Sequence, residues 1–529
     1  MDESPSATAP PVGRATSPLP ATPLFLGLLF LLLLGIQQLL YRDSFAVKPS
    51  SDDFIALHQI ERGDSGGVWS FFKASDTGDY RPLQNATYWF FATVCPSRRF
   101  LSLRLLHVAG FIFYAAVAFL WIRALGFGRV AAVTAASIVF LHPVLTGPLA
   151  GLDNYSRLVV SAWVWLGAWI ARVHARRLRV AVPLVSLCFA IALGYMEYAL
   201  TLAPLAALVV AWRSEKRRLR NASIILACLV AIFCGYYLIR VSGLVATTSG
   251  TRLLSQSPFV WAKNGAVMMA AVLFFGNTVP IMRAPSVPGF AWLGSNVALL
   301  ALALGYGLRA GRRRLTPRAG EDPQTASAPT ADASSRPAFL FAALAATFFP
   351  MLFMTHISEI YLSAVVVAVA LLSGLSAQGW TRAPRPAWAA ALILAGFQLL
   401  LASEAIQSKV TGINEAGERT EAMMQRVLEL VPDDSRTRKV AMVFFEPKTT
   451  ARRGYSIFAL PDDELVQQGY GTFAMRWFRP RSETRLDSLI VSDLSVVNLK
   501  AYDLVLVWQE SRRQFTVVSR AENVSPPPG

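Results

Sequence analysis

The sequence predicts an all-α polytopic membrane protein that ends in a small α/β domain outside the bilayer. Three observations lead there. The 529-residue chain is 54% hydrophobic and only 16% charged, against about 25% charged residues in a soluble domain. Its apolar residues fall in charge-poor blocks long enough to cross ~30 Å of hydrocarbon as helices. Its arginines and lysines cluster between those blocks, in "RALGFGR", "RVHARRLR", "WRSEKRRLR" and "RAGRRRLTPR", as cytoplasmic loops do under the positive-inside rule. Topology thus accounts for the formal net charge of +17, and no aromatic-interleaved basic patch supports nucleic-acid binding.

The elements follow in order. Residues 1–22, rich in Pro, Ala, Ser and Thr, read as a disordered cytoplasmic N-terminus. The first span, 23–41, lacks a small-residue cleavage signal and reads as retained. Further spans are expected at 101–123, 130–148, 155–172, 179–195, 198–212, 222–240, 289–309, 337–354, 357–377 and 386–404, eleven in all. With the N-terminus inside and strict alternation, every arginine-rich connection falls in the cytoplasm, including 309–337 and 381–388. The apolar stretch 265–281 would invert that charge pattern if it crossed, so 257–282 is expected to be re-entrant or to lie along the outer surface.

The four cysteines, Cys95, Cys188, Cys228 and Cys234, show no CxxC spacing and imply neither a disulfide framework nor a zinc site. The soluble domain is expected over 405–522. It opens with "AGERTEAMMQRVLELV", apolar at helical spacing. The strand-like runs "KVAMVFF", "SLIVSDLSVV", "YDLVLVW" and "QFTVVS" follow, and 523–529 form a disordered tail.

In this threading, ionisable residues from separate connections share the outer face. The external loop 42–100 carries Asp52, Asp53 and Arg81. Arg104 and His107, three apart and so on one helical face, begin the second span. His142 and Pro143 end the third, and Asp153 and Arg157 begin the fourth. Glu197 lies in the turn between the fifth and sixth, and His356, Glu359 and Tyr361 at the junction of the ninth and tenth. Each has an ordinary structural use: an exposed ion pair for Asp153 and Arg157, a helix stop for His142 before proline, a solvated turn for Glu197. Together they favour a shared site, because ionisable groups at membrane depth are expensive and face one another or a polar cavity. A carboxylate within ~3 Å of an acceptor hydroxyl can act as general base, and arginines grip phosphate by two parallel hydrogen bonds. A phosphate at membrane level belongs to a lipid, so the expected chemistry is group transfer from a lipid-phosphate donor.

"DDF" after the first span, "YRPLQNATYWFF", "RLLHVAGFIFYAAVAFLWIRALG", "VFLHPVLTGPLAGLDNYSRLVV", "GYMEYALTLAPLAALV" and "HISEIYLSAVVVAVALLSGL" occur in an order that resembles GT-C-fold glycosyltransferases. The protein O-mannosyltransferase-like branch and the transmembrane enzymes bearing tetratricopeptide repeats look nearest, over about residues 23–377. The resemblance implies an inverting transferase with a polyprenyl-phosphate sugar donor and an extracytoplasmic acceptor (protein, lipid or glycan). It implies a multi-pass protein of a bacterial inner membrane, with its site on the periplasmic face. The catalytic base maps to Asp52 or Asp53, with Asp52 preferred because related enzymes often show the base followed directly by a second acid. Arg81 and Arg157 match positions that serve the donor phosphate or shape the cavity, and Glu197 and Glu359 match acidic positions near donor or acceptor. The resemblance calls for no cofactor. A divalent ion is admitted but not indicated, since a DxD motif is absent and "DD" alone is weak evidence, and no metal ligand is assigned. The chain departs from the pattern in lacking tetratricopeptide repeats and in placing Ile360 where an arginine usually follows the acid. A polysaccharide polymerase or ligase is the alternative enzyme. A transporter or flippase of lipid-linked saccharides is the non-enzymatic alternative, for which the expected internal repeats are missing.

Overall fold

The computed structural model describes residues 20–50, 53–72, 80–94, 99–214, 217–242, 257–278, 281, 286–312, 331–353, 359–381, 383–432, 438–445, 470–479, 482–491, 494–509 and 511–520. They form a helical multi-pass membrane protein with a small C-terminal sheet. Among the described residues, eight stretches are long and apolar enough to cross a membrane.

Helix α1 (Pro23–Leu40) starts at Thr22, whose hydroxyl accepts from the Phe25 amide at 3.3 Å, with Pro23 in the first turn, where a proline takes nothing from the helix. Its leucines face both ways. Leu26, Leu29 and Leu33 are buried while Leu24, Leu31 and Leu39 are exposed, the pattern expected where the surrounding solvent is lipid. The loop after α1 holds α2 (Asp53–Gly66) and α3 (Pro82–Val94), and the chain re-enters the bundle as α4 (Arg99–Ala124).

Helix α5 (Arg129–Leu141) stops earlier than the expected span 130–148. His142 is extended, with φ −73° and ψ 125°, because Pro143 crowds a helical geometry in the residue before it. A 3₁₀ turn (Pro143–Leu145), the short α6 (Thr146–Ala150) and a second 3₁₀ turn (Leu152–Asn154) carry the chain into α7 (Tyr155–Val173). Residues 142–152 and Asn154 of this irregular stretch are buried, so their carbonyls need partners.

Helices α8 (Leu178–Tyr195), α9 (Leu202–Arg213) and α10 (Arg218–Ser242) follow, with the 3₁₀ turn Glu197–Thr201 between α8 and α9. Then come α11 (Pro258–Leu273), α12 (Val287–Arg312), α13 (Ala331–Phe348) and α14 (Ser363–Trp380). Helix α14 is the hub: 78% of its apolar stretch is buried, against 11% for α10 and for α12, which form the rim. Small residues let neighbours approach α14. A Cβ on Gly374 would meet the Ala131 carbonyl of α5 at 2.8 Å, close packing of the kind that drives helix association where lipid is the solvent. Two tryptophans join the layers: Trp165 Nε1 donates to the Ala364 carbonyl and Trp121 Nε1 to that of Trp165, both at 2.9 Å, so these two buried indoles each place their donor.

Helix α15 (Arg385–Leu430) runs 46 residues without a break, about 69 Å, and so passes through the boundary expected at 404. A change from apolar to polar composition alters a helix's surroundings but not its backbone hydrogen bonding, and no proline interrupts 387–431. Its early part exposes Leu392, Ile393 and Leu400. Its late part buries Met423, Met424 and Val427 against the sheet and α2.

The sheet has the order β2-β1-β3-β4, from β1 (Lys439–Phe445), β2 (Arg485–Val491), β3 (Leu504–Gln509) and β4 (Gln514–Arg520). Strand β1 pairs in parallel with β2 (Met442 opposite Ser488) and with β3 (Met442 opposite Leu506), while β3 and β4 are antiparallel. The central strands are buried along nearly their whole length, as parallel strands covered on both faces are. One face packs on α15 and α16 (Tyr470–Phe478), and α16 in turn packs on α2, with Phe54 and Phe478 ring centroids 6.5 Å apart. Helix α2 therefore touches the bundle and reaches the sheet through α16.

Candidate functional site

The two ends of the bundle differ. At one end, short connections cap each other: Ala21 N donates to the Phe127 carbonyl at 3.4 Å, and Arg172 and Arg336 donate to the carbonyls of Ala124 and Leu125 at 2.7 and 2.8 Å. At the other end lie the irregular turns and the long first loop. Tyr41, just past α1, hydrogen-bonds Thr146 at 3.0 Å, and Lys48 pairs with Glu421 of α15, whose carboxylate raises the Lys48 ammonium above its ordinary value. A Cβ on Gly417 would lie 2.5 Å from the Lys48 carbonyl, so only glycine admits the loop this close to α15.

The second end also holds the site residues expected from sequence, insofar as they are described. Asp52 and His356 lie outside the described residues, as do the side chains of Asp153 and Glu359, whose backbones occupy the turns Leu152–Asn154 and Glu359–Tyr361. Asp53 is the first residue of α2, buried, with Oδ2 accepting from the Ser50 amide at 3.0 Å. A carboxylate is favoured there by the unpaired amides and dipole of a helix N-terminus.

Three of the expected residues are engaged with backbone. Arg104 is buried and donates to the Ala150 carbonyl at 2.5 Å and to that of Val47 at 3.0 Å, tying the loop after α1 to the end of α6. Asp53 acts on the same guanidinium through space. His107 places its two ring nitrogens 3.0 Å from the Pro148 carbonyl and 3.2 Å from that of Leu152, which also accepts from the Tyr88 hydroxyl. His142 accepts the Val144 amide on Nδ1 at 3.2 Å, which assigns its proton to Nε2, 2.8 Å from the Val272 carbonyl at the end of α11. Arg104 and His107 thus meet carbonyls of the irregular stretch 142–154, and His142 ties that stretch to α11.

The others meet side chains. The Arg157 guanidinium lies 4.8 Å from the centre of the Tyr361 ring, a cation–π distance. Its carbonyl receives hydroxyls from Ser161 at 2.7 Å, Ser363 at 3.3 Å and Tyr198. Glu197 sits between two arginines: Arg81 Nε is 3.8 Å from its Oε2, and Arg240 Nη1 donates to its Oε1 at 2.6 Å. All three are about one-quarter exposed. Tyr236, one turn before Arg240, donates its hydroxyl to the Tyr80 carbonyl at 2.7 Å and so fixes the residue before Arg81 against α10.

Sequence reasoning missed Arg240, Tyr198, Ser161, Ser363 and the buried Lys409, which donates to the Pro143 carbonyl at 3.2 Å. Arg240 carried a usable signal. In the expected threading it is an arginine at the outer end of a span, where the positive-inside rule expects few. The hydroxyls carried none, since serine and tyrosine within and beside helices are ordinary.

Among the described residues, no group of three or more His, Cys, Asp or Glu could hold a metal ion. The arrangement offers guanidiniums for an oxyanion beside carboxylates able to take a proton, at the ends of apolar helices. No protein-family model and no curated protein matches the chain.

Proposed function

We propose that the chain is an inverting membrane glycosyltransferase of GT-C type, moving a sugar from a polyprenyl-phosphate donor to an acceptor outside the membrane. One observation carries the reading: guanidinium and carboxylate side chains from separate connections converge at one end of the bundle, the end that also holds Asp53. Eleven crossings are taken, with α7, α9 and α13 added to the eight long apolar stretches. Helices α4, α7, α9, α12 and α14 then descend from the site, and α1, α5, α8, α10, α13 and α15 rise to it. The opposite end carries the arginine-rich connections and faces the cytoplasm, which puts the site on the periplasmic side of a bacterial inner membrane. The sheet joined to α2 and α15 then lies outside as well, beside the acceptor's approach.

In this mechanism a carboxylate of the first loop removes the acceptor hydroxyl's proton as the oxygen attacks the anomeric carbon. The new C–O bond forms on the face opposite the departing phosphate, so configuration inverts. The sugar's bond to the phosphate oxygen breaks, and polyprenyl phosphate leaves with the electron pair. The resemblance favours Asp52 as the base, followed directly by Asp53, whose carboxylate accepts from the Ser50 amide at its helix N-terminus. Arg81 and Arg157 stabilise charge on the leaving phosphate, since charge-assisted bidentate hydrogen bonds are the strong ones. Glu197 and Glu359 shape the polar wall of the site.

The donor tests the reading. Nucleotide sugars are made in the cytoplasm, whereas a lipid-linked sugar can be delivered outside. Purified protein in nanodiscs should transfer sugar from a polyprenyl-phosphate sugar and not from a nucleotide sugar. Robust transfer from the nucleotide sugar alone would contradict it.

A further inference from the structure

Glu197 and its two arginines come from three distant parts of the chain. Arg81 precedes α3, Glu197 opens the turn after α8, and Arg240 lies in the last turn of α10. A single carboxylate thus meets two guanidiniums. The guanidinium fork fits a phosphate as well as it fits a carboxylate. At about one-quarter exposure, the cluster is open to a ligand, unlike the sealed Arg104. Beneath Arg240 on the same face of α10 lie Tyr237, three residues before it and 52% exposed, and Phe233, whose ring centroid is 6.1 Å from that of Tyr237. A hydrocarbon chain can therefore lie along α10 beneath the cation.

We propose that Glu197 is an internal counter-anion occupying a lipid-phosphate site, and that Arg81 and Arg240 exchange it for the phosphate oxyanion of a polyprenyl phosphate. The idea rests on the reading of this face as a lipid-phosphate site, and it adds Arg240 as a binding residue and exchange as the binding mode. An isolated phosphate would gain from the arginines but not from the apolar strip. A neutral prenyl alcohol would gain from the strip but not from the arginines. The sugar-linked donor, a phosphodiester, matches the single charge of the carboxylate it replaces, and the monoester released by transfer carries more negative charge and satisfies two guanidiniums more fully.

The test uses the full chain in detergent with farnesyl phosphate, farnesol and inorganic phosphate as probes, read as ligand-dependent shifts of the thermal midpoint. Farnesyl phosphate should bind at least tenfold more tightly than either control. Arg240→Ala should weaken it about tenfold or more, and Arg240→Lys should recover part of the loss. Glu197→Gln should tighten binding severalfold, because the competing carboxylate is gone. A merely structural ion pair predicts the opposite sign, and unchanged or weaker binding in Glu197→Gln overturns the exchange. Equal binding of inorganic phosphate overturns the lipid source, and equal binding of farnesol overturns the anion site. Farnesyl phosphate binding in a protein that transfers no sugar leaves this site standing and removes the transferase reading. Sugar transfer in Arg240→Ala with unchanged donor affinity does the reverse.

Discussion

Two arginine sites at the same end of the bundle make the most informative comparison. Arg104 is sealed, with two nitrogens on the carbonyls of Val47 and Ala150. Arg81 is partly open and faces the carboxylate of Glu197, which it shares with Arg240. The residue type is the same, but the partners differ in kind. A backbone carbonyl cannot move away without disturbing the fold, so Arg104 holds structure. A side-chain carboxylate on a turn can rotate aside, so Arg81 and Arg240 can accept a substitute anion. His107 and His142 belong with Arg104, because each faces buried backbone groups.

The comparison can be broken by variants that separate stability from activity. Arg104→Met should show the largest loss of stability, about 3 kcal/mol for two charge-assisted hydrogen bonds and the carbonyls left behind. Thermal unfolding in detergent measures it, and a fully stable Arg104→Met would erase the distinction between the two sites. Arg81→Ala and Arg157→Ala should weaken use of the lipid-linked donor roughly ten- to a hundredfold, ~1.4–2.8 kcal/mol, with unfolding nearly unchanged for the part-exposed Arg81 and lowered for the buried Arg157. Steady-state transfer at fixed acceptor gives the number, and lysine at either position should restore only part of it. His142→Leu should destabilise by about 1–2 kcal/mol, as the Val144 amide and the Val272 carbonyl lose their partner. Lys48→Met should have the smallest effect, a change in unfolding midpoint within error, because an exposed ion pair contributes little.

Much of the fold was legible from sequence because helix length and apolar content are set by the bilayer. The first span, the strand runs of β1, β3 and β4, and the gathering of polar residues at connections all follow from local pattern. The break at His142 was half legible: Pro143 marked a stop, but continued hydrophobicity to Ala150 hid the two turns that follow. The unbroken course of α15 was hidden because composition changes where hydrogen bonding does not. The roles of Arg104, His107 and His142 were not legible at all. Whether a buried cation or imidazole meets a ligand or a carbonyl depends on how close the chain at Val47, Pro148, Ala150 and Leu152 comes, and no local pattern records that. Arg240 was visible as an exception to the charge rule, yet its meaning required Glu197 beside it.

The central claim is that a carboxylate of the first loop activates an acceptor against a lipid-phosphate donor. Sugar transfer by the Asp52→Asn and Asp53→Asn variants tests it most directly, with purified protein in nanodiscs and unfolding measured in parallel. Asparagine keeps the size and removes the proton acceptor. The account predicts that Asp52→Asn lowers transfer by about 10²–10⁴-fold while the unfolding midpoint stays near that of the unaltered protein. Full activity in both variants would contradict it.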